Sequence, residues 1–186
     1  MSVQGDSYAI EVAGVKRDLR LFAIKPGVRI AILNILGDTE LVTAVSRALG
    51  EKLREYHLDV LVTPEAKSIP LAHGLALELG LPYVVLRKSY KPYMGDALQS
   101  ETLSITTGDP QTLFLDEKDR DLIKGKRVAL IDDVISTGST LQGMRLIMEK
   151  AGAQVAAEAA IFTEGDRAGW SNIVALGHLP VFIDKN

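Results

Sequence analysis

The chain has no cysteine among its 186 residues. That excludes disulfides and thiolate metal sites and fits a reducing compartment. It has no apolar run long enough to span a bilayer and no basic-then-apolar stretch at its start, so a soluble, cytoplasmic protein is expected. Positive charge is not in excess either. At a formal net charge of −3, neither nucleic acid nor a membrane surface is expected as a partner. The three histidines, His57, His73 and His178, share no metal-ligand spacing. Two common phosphate motifs are missing: there is no G-x-x-x-x-G-K-[ST], and no G-x-G-x-x-G opens a helix. No repeat or low-complexity segment appears, and the length suits one compact α/β domain.

What the chain does have is one organised stretch, Arg127-Val-Ala-Leu-Ile-Asp-Asp-Val-Ile-Ser-Thr-Gly-Ser-Thr140. Residues 128–131 read as a strand buried on both faces, ending at the acidic pair Asp132 and Asp133. Ser136, Thr137, Gly138, Ser139 and Thr140 read as a small, hydroxyl-rich loop. Leu141, Met144, Ile147, Met148 and Ala151 then recur at helical spacing, closed by Gly152. Small residues before a helix N-terminus let backbone N–H groups converge on an anion, which the helix dipole also favours. Gly138 can take backbone angles that other residues avoid. The result is a phosphate cradle with two carboxylates beside it, suited to ribose hydroxyls or a divalent cation. Each residue alone also fits an ordinary strand-to-helix turn with solvated acids; the ordered combination points to a site.

Around this unit, residues 8–24 read as two short strands about a turn near 14–18, and 28–33 as another strand. Asp38 or Thr39 is the N-cap of a helix to about Arg54. Then strands and helices alternate: strand 59–63, helix Ile69–Leu79 stopped at Gly80, strand Tyr83–Leu86, the unit above, and strand 155–162. Such alternation predicts a mostly parallel sheet flanked by helices, with ligands collecting at the carboxyl ends of its strands. Residues 88–125 interrupt the rhythm and read as a flexible two-stranded flap. Trp170 and residues 174–183 read as a closing strand and cap without chemical content.

The stretch 127–140 resembles the phosphoribosyl pyrophosphate (PRPP) signature of type I phosphoribosyltransferases, with Thr137-Gly-Ser-Thr140 where that family usually has Thr-Gly-Gly-Thr. The likeness runs over about 28–165 and is nearest to the adenine phosphoribosyltransferase-like purine group. It implies one α/β domain with a core at about 36–162, a flap at about 88–125, and a small hood from about 1–35 and 163–186. It implies that Asp132 and Asp133 hold the ribose of PRPP, and that 136–140 hold its 5′-phosphate. Glu65, Ala66 and Lys67, with Arg87, Lys88 and Lys91, would take pyrophosphate, the cations neutralising its charge as the bond breaks. Mg²⁺ would arrive on PRPP, with no metal bound directly by the protein.

For the base, Asn34 and Glu164 are the candidates by the same resemblance, although Asn34 by residue type also suits a turn. Enzymes for 6-oxopurines commonly carry a Lys just after the strand ending near Phe162; here the stretch is Thr163-Glu-Gly-Asp166. Adenine is therefore favoured. The flap Glu of adenine enzymes corresponds to Thr106, which implies slow turnover. The resemblance also implies a homodimer acting in purine salvage. The alternatives are a non-catalytic PRPP-binding regulator of purine metabolism, or a phosphoribosyltransferase for xanthine or orotate.

Overall fold

The computed structural model describes residues 2–4, 6–103 and 110–183. In chain order its elements are strands β1 (Ser2–Gln4), β2 (Ser7–Val12), β3 (Val15–Lys25) and β4 (Val28–Ile32), then helix α1 (Thr39–Leu53). Strand β5 (Val60–Pro64), helix α2 (Ile69–Leu79) and strand β6 (Tyr83–Leu86) follow. Next come β7 (Leu98–Leu103), β8 (Pro110–Leu115) and the short helix α3 (Arg120–Ile123). The chain continues through β9 (Arg127–Ile135), helix α4 (Ser139–Ala151), β10 (Gln154–Glu164), β11 (Val174–Leu179) and β12 (Phe182–Ile183).

The central sheet is parallel throughout, in the order β11-β10-β9-β5-β6. Its strands are apolar through their middles, as in residues 60–62 and 128–131, because both faces are covered there. On one face lie α1 and α2, whose Leu41, Val45, Leu49, Leu71 and Leu75 share a core with Ala129 and Ile131 of β9. On the other lies α4, whose Leu141, Met144, Ile147 and Met148 pack on Val128 and Leu130. Burying each such side chain contributes about 1.5–3 kcal/mol, which outweighs the weak intrinsic helicity of a 13-residue segment.

A second sheet, antiparallel and ordered β1-β2-β3-β4-β12, forms the hood. Its alternation puts Tyr8, Ile10, Val12, Leu19 and Leu21 into the same core as α1. The β2–β3 turn is tighter than the sequence suggested: only Ala13 and Gly14 separate the strands, both with positive φ, the backbone that matches strand twist. Arg17 of β3 reaches Asp38 through Nε and Nη2 (2.7 and 2.8 Å) and Glu40 through Nη2 (2.8 Å), tying the hood to the start of α1.

Three further boundaries differ from expectation. Strand β9 does not end at the acidic pair but continues to Ile135, because β10 keeps pairing with it through Thr163–Ile135. Residues 174–179 join the central sheet beside β10, so of the C-terminal stretch only Phe182–Ile183 pairs into the hood. The two-stranded flap is present as the β7–β8 hairpin, but its stem is packed down on α4. Ser100 Oγ donates to Gly143 O (2.9 Å), Thr102 Oγ1 donates to Ser139 O (3.2 Å), and Leu113 and Leu115 are buried in the α4 core. Among the described residues no helix is long and apolar enough to cross a membrane.

Candidate active site

The polar stretches converge at the carboxyl ends of β5, β6, β9 and β10. Asp132 and Asp133 are the sixth and seventh of the nine residues of β9, Asp133 buried and Asp132 half-buried. Asp132 Oδ1 accepts the N–H of Asp133 at 2.9 Å. Burial first, then the adjacent Asp133 carboxylate, pushes the Asp132 carboxyl up to about 8, with the positive charge of Lys88 opposing them.

The cradle follows. Residues 136–138 form the loop, whereas Ser139 and Thr140, expected in it, already belong to the first turn of α4. That turn has N–H groups with no partner inside the helix, so the anion-binding potential remains. Gly138 is the residue before the helix, with φ +77°, and the indole of Trp170 rests on it: a Cβ there would lie 2.8 Å from the ring. Trp170 Nε1 donates to Glu164 O at 2.9 Å. Thr137 and Ser139 hydroxyls lie 3.1 Å apart. Asp132, Ser136, Thr137, Gly138 and Thr140 line a small cleft of about 40 Å³.

The loop between β5 and α2 brings its cation to the acids. Lys67 Nζ stands 3.1 Å from Asp133 Oδ2, an ion pair without hydrogen-bond alignment, so that oxygen is buried and without a hydrogen-bond partner. The loop is fixed from beneath by Thr63 Oγ1, which donates to Ile131 O (3.0 Å), and by Ser68 Oγ, which donates to Pro64 O (3.0 Å). The Glu65–Ala66 peptide is cis. Glu65 turns away from an anion-binding part: its Oε2 accepts from Arg87 Nε (2.5 Å) and its Oε1 from Lys88 N (2.7 Å). Burial raises the Glu65 carboxyl, but the Lys88 N–H and the Arg87 guanidinium outweigh it and hold it below the usual carboxylate range.

Arg87 is thus neutralised at close range, whereas the Lys88 and Lys91 side chains are exposed and make no ion pair among the described residues. Asn34 is exposed and spends its Oδ1 on Leu36 N (3.2 Å), closing a turn rather than reaching the acids. The buried Glu164 carboxyl has no partner among the described residues, and burial raises its pKa. Thr106 lies outside the described residues.

Sequence reasoning missed Trp170, set aside as a cap, and Gln111, whose Oε1 accepts from Thr140 Oγ1 at 3.2 Å. Neither leaves a local signal of the cradle, since their partners there are 32 and 29 residues away (170 − 138 and 140 − 111). An apolar groove of about 310 Å³ between α1 and α2, lined by Ile35, Val42, Ser46, His73 and Leu77 among others, includes none of the candidate residues.

A strand carrying two adjacent carboxylates, a glycine-turned cradle and a cationic loop folded back on the acids have their counterpart in a known family: its model, "Phosphoribosyl transferase domain", matches residues 33–175. The chain belongs to the phosphoribosyl transferase domain family. It is 35% identical over 157 residues to the adenine phosphoribosyltransferase of Desulfitobacterium hafniense (strain Y51), covering 83% of this chain and 80% of that protein. It is 31% identical over 133 residues to the purine biosynthesis transcriptional repressor PurR of Bacillus subtilis (strain 168), covering 72% of this chain but less than half, 46%, of the repressor. In fold it is similar to the adenine phosphoribosyltransferase of Thermoanaerobacter pseudethanolicus, with a TM-score of 0.71 at 22% identity over 86% of this chain and 95% of that one. The matched phosphoribosyl transferase domain contains the acidic pair, the cradle, the Lys67 loop and the Arg87–Lys88 pair.

Proposed function

We propose that the protein transfers the phosphoribosyl group of PRPP to a purine base, adenine before others, and releases pyrophosphate. The observation that supports this reading is the 3.1 Å approach of Lys67 to Asp133, whose neighbour Asp132 lines the cleft at the cradle. Asp132 and Asp133 orient the ribose hydroxyls, residues 136–140 anchor the 5′-phosphate, and Lys67, Lys88 and Lys91 face the pyrophosphate. Purine N9 forms its bond to ribose C1′ as the bond from C1′ to pyrophosphate oxygen breaks, its electrons leaving with pyrophosphate; the N9 proton is lost to water. Positioning and exclusion of water matter more here than a strong nucleophile.

The buried Asp133 oxygen without a hydrogen-bond partner fits a divalent cation brought in on the substrate, and Asp132 and Asp133 are the residues that would face it. Mg²⁺ so bound would neutralise the charge that collects on pyrophosphate. Adenine is preferred because no lysine follows β10 to donate to a 6-oxo group, and an unmet buried oxo group costs roughly 1–3 kcal/mol. The protein acts in purine salvage in the cytoplasm as a homodimer, which light scattering tests.

A second reading has support in the likeness to the PurR repressor: a regulator that binds PRPP and turns over no base. One assay separates the two. The protein is mixed with PRPP, Mg²⁺ and each of adenine, guanine, hypoxanthine, xanthine and orotate, and pyrophosphate release is read. Release fastest with adenine is expected. PRPP bound with no base turned over would establish the regulator, and failure to bind PRPP would sink both readings.

A further inference from the structure

Glu65 stands where three segments meet. Its backbone N–H donates to Leu86 O at 2.9 Å, joining the Lys67 loop to the end of β6. Its carboxylate takes Arg87 Nε on one oxygen and Lys88 N–H on the other. Arg87 in turn exchanges two backbone hydrogen bonds with Phe114 of β8, at 2.9 and 2.8 Å, so the same junction reaches the hairpin. That hairpin contributes Gln111, the partner of Thr140 in the cradle. A carboxylate is acceptor-only and repels a polyanion, so Glu65 is a poor ligand for pyrophosphate. Both of its oxygens are instead occupied by groups beside the pyrophosphate cations.

We propose that Glu65 is a positioning residue for the pyrophosphate half of the substrate: without touching the anion, it locks Arg87 and Lys88 of the β6 end, and through Arg87 the hairpin stem, in register with Lys67. This rests on the PRPP reading. A carboxylate that merely sat near the site would weaken anion binding, and its removal would strengthen it. A lock acts the other way. Hydrogen bonds from the Arg87 guanidinium and the Lys88 backbone N–H hold that side chain and that stretch of main chain in place, and their loss lets both shift.

The test is calorimetry on the full chain with two probes, Mg²⁺-pyrophosphate and ribose 5-phosphate, alongside thermal melts. Glu65→Gln, which replaces one acceptor oxygen by a donor, should weaken pyrophosphate by about tenfold or more. Ribose 5-phosphate, held at the cradle, should stay within about twofold. Glu65→Asp, which keeps the charge on a shorter stem, should fall between and serves if the Gln variant does not fold. Pyrophosphate bound as tightly or more tightly by either variant overturns the positioning role. Equal loss of both probes also overturns it, since that reports general loosening of the fold. If the unaltered chain binds neither probe, the PRPP reading itself fails and this role falls with it.

Discussion

Burial and the neighbouring carboxylate both disfavour charge on Asp132 and push its carboxyl up to about 8, above the value of about 4 for an aspartate in an unfolded chain. Between those values the folded protein carries a proton that the unfolded chain lacks. Asp132 by itself therefore makes stability fall as pH rises through that window. Ligand binding runs the opposite way. Ribose hydroxyls donate best to an ionised carboxylate, so ribose 5-phosphate should bind more tightly as pH rises to about 8, with proton release at pH 7. Calorimetry at pH 7 in buffers of different ionisation enthalpy reads that release; its absence, or its survival in Asp132→Asn, contradicts the assignment. At this scale the sequence is legible where partners are local. Asp38 as an N-cap and Gly80 and Gly152 as C-caps act within a turn of themselves. The Glu65–Arg87 and Trp170–Gly138 contacts depend on how distant segments are brought together, and no residue pattern announces them.

Elements were legible in proportion to their periodicity. Helix α2 and strand β6 fall at the expected bounds, one marked by its glycine stop and the other by a short β-branched run. The prolongation of β9 and β10 was not, because their extra residues are polar or mixed and are held by ladder pairing instead of burial pattern. The hairpin β7–β8 alternates only weakly, yet its seat on α4 is close. A Cβ at Gly143 would lie 3.3 Å from Leu113 Cδ1 and 3.4 Å from Ser100 Oγ. Gly143→Ala should be tolerated, since the helix gains up to about 1 kcal/mol in propensity against a tight contact. Gly143→Leu should lift the hairpin at a cost of about 1–3 kcal/mol. Hydrogen exchange should then accelerate in 98–103 and 111–115 while β9 and β10 keep their protection. Unchanged exchange in the hairpin would mean that its seat does not depend on this contact.

For the whole molecule, a covered parallel sheet is legible in the sequence, since alternating strands and helices leave few other topologies. It did not reveal how hood and core are fastened. Besides the shared apolar core, Arg17 fastens them, and its hydrogen bonds hold the Asp38 carboxyl below its usual range. A lowered carboxyl contributes stability above about pH 4 and loses it as pH falls through its folded pKa. Arg17→Ala should therefore melt earlier than the unaltered chain at pH 7, with the gap closing toward pH 3; an equal gap at both values would exclude the ion pair as the cause. Trp170, meanwhile, is the one tryptophan in the chain, and its ring lies against the glycine of the cradle. All indole fluorescence of the protein thus originates beside the place where a 5′-phosphate would sit. The molecule carries a built-in optical probe beside the cradle, readable without a label.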